Sequence, residues 1–168
     1  VRFATGLEPA TAAALYDALA TELALNDGRP GVAEASEEAL RLWRHVGDRL
    51  HEGDTLRQLS HTKWLLCQGA AAISTAEAAL EILEPLGPTP ELASAYANLA
   101  RIRMLNAHYE TAIVLASKAQ EIAAQFGLAA VRSDALNTQA CANASIGREW
   151  VAPLRQALDL AVAERCEE

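Results

Sequence analysis

The stretch that decides the fold runs from residue 93 to residue 124 and reads ASAYANLARIRMLNAHYETAIVLASKAQEIAA. When the chain is shifted against itself by 40 residues, this stretch aligns with three others. One column of the alignment contains Tyr16, Leu56, Tyr96 and Leu136, and another contains Ala20, Ser60, Ala100 and Ala140. These columns are four residues apart, which is the spacing of one helix face.

A second helix face follows later in each repeat. Its columns contain Val32, Ala72, Ala112 and Ala152, and Ala39, Ala79 and Ala119. Gly47, Gly87 and Gly127 then close three of the repeats, and glycine ends a helix at low cost because it accepts a left-handed conformation. The sequence therefore predicts an all-α chain of four helix-turn-helix repeats of about 40 residues.

We expect eight antiparallel helices. They fall near residues 9–26, 30–46, 48–67, 70–86, 90–106, 109–126, 129–146 and 149–165. Pro30 and Pro90 suit the first turn of a helix, and Thr89 offers a capping hydroxyl. Because one amphipathic pair cannot bury its apolar face alone, the repeats near 9–46, 48–86, 90–126 and 129–166 should stack into one domain over 1–168.

The fourth repeat departs from the pattern. Gln139, Gln156 and Asp159 stand in columns that are apolar or small elsewhere. A shift of 38 residues would place Ala157 opposite Ala119, which predicts a connection shortened by two residues between the last two helices. Alternatively, the polar positions make this repeat a terminal cap.

Composition limits the classes of function that the chain can have. The net charge is −8, and Lys63 and Lys118 are the only lysines, so we expect no basic patch and no direct binding of nucleic acid. Three distant cysteines favour reduced thiols over disulfides. No signal peptide or membrane span is recognisable, which predicts a cytoplasmic protein. The start at Val1 suggests a piece of a longer chain.

Eight residues of the third repeat carry a family resemblance. They are Tyr96, Asn98, Leu99, Ala100, Tyr109, Ala112, Lys118 and Ala119. In this order and spacing they resemble the tetratricopeptide signature, which implies a right-handed superhelix with a concave face. The family's common repeat is six residues shorter, and the extra residues would lengthen the first helix of each repeat.

Two longer stretches resemble the helical-repeat region of large LuxR-family transcriptional regulators. They are residues 39–69, ALRLWRHVGDRLHEGDTLRQLSHTKWLLCQG, and residues 91–112, ELASAYANLARIRMLNAHYETA. In that family a P-loop ATPase module precedes the repeats and a helix-turn-helix DNA-binding domain follows them. The resemblance implies a signal-transduction role, in which binding to the repeats is coupled to those other domains.

The tetratricopeptide resemblance also implies a binding groove, because in that family the first helix of each pair lines the concave face. The matching columns give the candidate groove residues Asp17, Arg57, Gln58, His61, Trp64, Asn98, Arg101, Met104, Asn137 and Thr138. Amides can hold a peptide backbone, arginine can bind a carboxylate, and Trp64 with Met104 could form an apolar floor. The alternative is ordinary solvated surface, with Trp64 filling the core.

The sequence contains no recognisable catalytic machinery. No cofactor fingerprint or nucleophile elbow is present, and the spacings of His45, His51, His61 and Cys67 match no metal-ligand motif. We therefore expect no enzyme, no cofactor and no metal. Two functions stay open, a protein-interaction or effector-sensing module of a LuxR-like regulator and a stand-alone peptide-binding adaptor. Self-association through exposed repeat ends is also compatible with an open array.

Overall fold

The computed structural model describes residues 6–25 and 29–165, and in these ranges the chain is all-helical. Eight α-helices follow one another. They are α1 (Pro9–Leu25), α2 (Arg29–Val46), α3 (Arg49–Leu65), α4 (Gly69–Leu83), α5 (Pro90–Leu105), α6 (Tyr109–Gln125), α7 (Ala129–Ser145) and α8 (Val151–Arg165). A single 3₁₀ turn, Glu84–Leu86, follows α4. These bounds confirm the predicted helices to within three residues, and Thr89 caps α5 by accepting a bond from the Leu92 amide.

The chain divides into two compact units, Val1–Pro85 and Leu86–Glu168. In the first unit, Tyr16 of α1 and Trp43 of α2 share one apolar cluster. Leu40 of α2 and Leu59 of α3 belong to a second cluster. In the second unit, α5 to α8 pack in chain order, with α5 also contacting α7. Each unit therefore contains two of the four predicted repeats.

Small residues occupy the helix contacts, as the columns predict. Ala39, Ala79 and Ala119 are fully buried, and the column that begins with Ala20 is buried in all four repeats. Side chains of this size let helix axes approach closely. Gly53 is the extreme case, because a Cβ atom at this position would lie 2.5 Å from Cγ of the buried Leu83. The pairing of α3 with α4 therefore requires glycine there.

Left-handed residues mark the turns at half-repeat intervals. Gly47, Gly87 and Gly127, at the ends of repeats, have positive φ angles, which confirms the predicted glycine turns. The turns within repeats have a second left-handed column, containing Cys67, Ala107 and Gly147. Cys67 and Ala107 adopt this conformation although they lack the conformational freedom of glycine. The left-handed turns therefore repeat more regularly along the chain than the glycines do.

The prediction of a shortened connection in the fourth repeat is wrong. The connection between α7 and α8 covers residues 146–150, whereas 66–68 and 106–108 connect the equivalent helices in the two preceding repeats. The connection is therefore longer by two residues, not shorter. Ala157 is buried, but the longer connection does not support its alignment with Ala119, and the outer face of α8 exposes Leu154 and Leu158. This apolar surface also argues against a polar terminal cap.

Ala107→Gly should raise the free energy of unfolding by about 0.5–1 kcal/mol. The substitution relieves the steric cost of an L-residue at a φ of 61°, and the greater entropy of glycine in the unfolded chain offsets part of that gain. Urea denaturation measures the change. Ala18→Gly, at an exposed position inside α1, is the control and should lower the free energy of unfolding by about 1 kcal/mol. A loss of stability in Ala107→Gly would contradict the strain argument.

Candidate functional site

The ten predicted groove residues lie on the first helices of the repeats. Asp17 lies on α1, and Arg57, Gln58, His61 and Trp64 lie on α3. Asn98, Arg101 and Met104 lie on α5, and Asn137 and Thr138 lie on α7. Eight of the ten are partly or fully exposed, whereas Asn98 and Thr138 are buried. The groove as a whole stays a prediction.

Asp17 bridges three helices of the first unit. The indole Nε1 of Trp43, on α2, donates to its Oδ2 at 2.6 Å. The hydroxyl of Thr55, on α3, donates to its Oδ1 at 3.0 Å. Trp43 and Thr55 are both buried, so this carboxyl group satisfies two polar groups that would otherwise lack a partner in the core. Its main role is therefore to hold α1, α2 and α3 together.

Burial raises the pKa of Asp17 above its ordinary value of 3.8. The bonds from Trp43 and Thr55 favour the charged form and lower the pKa, but the loss of solvent outweighs them. The negative charge of Asp54 raises it further. Asp17 is thus a carboxyl group for which burial outweighs the hydrogen bonds that favour ionisation.

The beginning of α3 is tied to the same cluster. Asp48 caps the helix by accepting a bond from the His51 amide, and its other oxygen lies 2.8 Å from Nδ1 of His51. The His51 ring stacks on the ring of Trp43, with centroids 4.5 Å apart. His51 therefore serves the packing of α2 against α3.

A polar stripe runs along α3, and we define it as Asp54, Arg57, Gln58, His61 and Trp64. These residues are three or four positions apart, so they share one face of the helix. Asp54 accepts from Nε of Arg57 at 2.6 Å and from the Gln58 amide at 2.9 Å. The two bonds leave the terminal nitrogens of Arg57 and the carbonyl oxygen of Gln58 unused by Asp54.

Asp54 is an anion that orients this stripe. Burial alone would raise its pKa, but the Arg57 guanidinium and the Gln58 amide more than compensate, so the pKa lies below 3.8. The side chains of Asp54 and Arg57 are each about a quarter exposed. Near the other end of the stripe, Trp64 lies over Gly69, where an added Cβ would be 3.7 Å from the indole ring. The ring thus packs partly on the start of α4.

The second unit presents a different arrangement. Arg101 of α5 forms an ion pair with Asp134 of α7, across two neighbouring first helices. Met104 is partly buried and Asn137 is exposed. Lys118 donates to the Tyr96 hydroxyl at 3.3 Å and lies 4.9 Å from the centre of its ring. These contacts use polar groups to join helices, as Asp17 does in the first unit.

Sequence reasoning missed the acidic partners of both arginines. Asp54 and Asp134 occupy the same column of the 40-residue alignment. Asp54 lies one helical turn before its partner Arg57, whereas Asp134 lies on α7 and its partner Arg101 on α5. The spacing of Asp54 and Arg57 could have indicated their pairing, because residues three apart on a helix are neighbours. Nothing in the sequence connects Arg101 with Asp134, since they lie on different helices.

Within 6–25 and 29–165, no three or more His, Cys, Asp or Glu side chains are grouped to hold a metal ion. The thiols of Cys67 and Cys141 are exposed. No helix of the described ranges is long and apolar enough to cross a membrane.

Comparisons with known proteins support the fold alone. No protein-family model matches the chain, and no curated protein sequence matches it significantly. The chain is similar in structure to BtubC (BKLC) from P. vanneervenii, with a TM-score of 0.78 and 19% sequence identity. The similarity covers 96% of this chain and 67% of that one. At this identity the likeness establishes a shared helical-repeat fold.

Asp17→Asn should change how stability depends on pH. Because the pKa of Asp17 is higher in the folded chain than in the unfolded chain, protonation of this carboxyl group stabilises the fold. This stabilisation is fully present below pH 3.8 and is lost as the pH rises through the folded-state pKa. As pH falls from 7 towards 4, the wild type should therefore gain free energy of unfolding relative to Asp17→Asn, as measured by urea denaturation. An unchanged or opposite difference would contradict the assigned shift.

Asp17→Ala is the companion variant. It removes the acceptor for Trp43 and Thr55 and should cost about 1–3 kcal/mol at every pH in this range.

Proposed function

We propose that this chain is a binding module that holds an extended peptide segment along the first helices of its repeats. The observation that carries the proposal is the α3 stripe, where a carboxylate, a guanidinium and a carboxamide are bonded together at a partly exposed surface. In this proposal the repeats stack into a right-handed, tetratricopeptide-like superhelix. The stripe lies on a first helix, which is the helix that lines the concave face in such arrays.

The stripe has the chemistry that peptide recognition needs. Asp54 fixes the Arg57 guanidinium through Nε, so the terminal nitrogens of Arg57 can receive a carboxylate of the partner. Gln58 is fixed through its amide nitrogen and keeps a carbonyl oxygen for a backbone N–H of the peptide. Trp64 adds a partly exposed aromatic surface on the same helix face. Fixed donors bind with a smaller entropy loss than mobile side chains do.

The wider context that we propose is a LuxR-like transcriptional regulator. There the module would couple a partner protein or a small-molecule effector to an ATPase and a DNA-binding domain outside these residues. The support is the resemblance of residues 39–69 and 91–112. Sequencing the complete gene distinguishes the two roles, since a regulator requires a P-loop region upstream and a helix-turn-helix region downstream. Without these, the chain would be a stand-alone adaptor with the same peptide site.

Peptides selected from a random phage-displayed library should bind through the α3 stripe. Arg57→Ala and Gln58→Ala should each weaken the selected peptides by at least about tenfold, because each removes a charge-assisted or backbone hydrogen bond. Fluorescence polarisation measures the dissociation constants. Arg41→Ala is the matched control, since Arg41 is exposed on α2 and bonded to Glu38. Selected peptides that bind both stripe variants as tightly as the wild type would refute the site.

A further inference from the structure

The outer face of α8 carries an apolar stripe, defined here as Val151, Leu154, Leu158 and Val162. These residues follow one another at three- and four-residue intervals, so they line one face of the helix. All four are exposed, and Leu158 is 61% exposed. The inner face of α8 is separate, because Pro153, Ala157 and Leu160 are the residues that are buried or partly buried. The helix is therefore apolar on two faces, and the structure covers one of them.

The face of α1 that bears Leu15 and Leu19 is uncovered as well. In the 40-residue columns, Leu15 corresponds to Thr55, Ala95 and Ala135, which are all fully buried. Leu19 is 37% exposed, whereas its equivalents Leu59 and Leu99 are buried. Leu59 belongs to a cluster with Leu40 of the preceding helix α2. Leu19 could therefore pack on a preceding helix as Leu59 packs on α2, but within the described residues no helix precedes α1.

The contact between α6 and α7 shows how the two uncovered faces fit together. Gln139 of α7 bonds to Ser117 and Gln120 of α6. Gln139 stands in the column of Leu19, and Ala116, buried on the inner face of α6, corresponds to Ala157 of α8. The same offset places Leu158 and Ala161 at the positions of Ser117 and Gln120. An α1 helix that packed on α8 as α7 packs on α6 would bring Leu19 against Leu158.

Charge and shape also match. Leu19 and Leu23 line a cavity of about 350 Å³ between α1 and α2, and the carboxylates of Glu34 and Glu38 lie at its edge. Arg155 stands beside the apolar stripe on α8 and is exposed. A leucine of α8 could enter the cavity while Arg155 meets the carboxylate of Glu34, since Glu38 is already bonded to Arg41. The occupant with both features is another copy of this chain.

We propose that the chain self-associates head to tail, with the apolar stripe of α8 in one copy packing against Leu15 and Leu19 of α1 in the next. The contact continues between molecules the helix packing that joins successive repeats within each unit. It uses two different surfaces, so it is heterologous and extends to larger assemblies or closes into a ring. A salt such as sulfate should strengthen it, because stronger apolar contact and screened repulsion between chains of net charge −8 outweigh the weakening of one exposed ion pair.

Sedimentation equilibrium over a wide concentration range tests the proposal. The wild type should show an average mass that rises with concentration above the 17.9 kDa of one chain. Leu19→Glu and Leu158→Glu should each weaken association by at least about tenfold, because each places a charge in the apolar contact. Both positions are exposed, so circular dichroism should show unchanged folding. Val114→Glu, at an exposed apolar position on α6, is the control and should associate as the wild type does.

A mixture of the two variants gives the sharpest outcome. Leu19→Glu retains the α8 stripe and Leu158→Glu retains the α1 face, so the equimolar mixture should form a one-to-one dimer and nothing larger. A wild type that stays monomeric at all concentrations would overturn the proposal, since another partner or a further helix would then have to cover α8. Undiminished association of Leu19→Glu alone would overturn it too, because it would indicate pairing of α8 with α8.

Discussion

Close approach of paired helices is the constraint on which the rest of this structure depends. Alanine and serine fill the columns at which paired helices face each other, Gly53 stands in α3, and these residues are almost completely buried. Because small side chains contribute little apolar area each, stability depends on many short contacts with few voids. Gly53 and Leu83 represent the limit, since the fully buried leucine occupies the space of a missing Cβ. Changes of one methyl group should therefore affect this core strongly.

Hydrogen bonds and ion pairs join the helices in addition to the contacts between small residues. Asp17 satisfies Trp43 and Thr55, and the buried Glu52 is bonded to Arg44 and Arg49, which are both more than half exposed. Asp17 and the pair of Arg44 with Glu52 connect neighbouring helices, whereas Arg49 lies on the same helix as Glu52. The same residue types on the exposed side of α3 are bonded to each other and remain accessible to a partner. If the proposed peptide site is correct, structural and binding roles are divided between two sides of α3.

The sequence predicted the helices well because their columns repeat. Periodicity identifies which face of a helix is buried, and the glycine positions identified the turns at Gly47, Gly87 and Gly127. Periodicity does not identify which side chain of another helix contacts a given residue. The partners of Asp17 lie 26 and 38 residues away, so no local spacing could indicate them. The burial of Asn98 and Thr138 was missed for a related reason, since a face that is accessible in α3 is covered in α5 and α7.

The double-mutant cycle of Gly53 and Leu83 tests the central constraint most directly. Gly53→Ala should cost about 1–3 kcal/mol and Leu83→Ala about 2–5 kcal/mol in urea denaturation. The double variant should cost less than the sum by at least about 1 kcal/mol, because the smaller residue 83 makes room for the new methyl group. Gly69→Ala, which meets Trp64 at an ordinary distance, should not lower stability. If Gly53→Ala instead stabilises the chain, as helix propensity alone predicts, close helix approach is not the governing constraint.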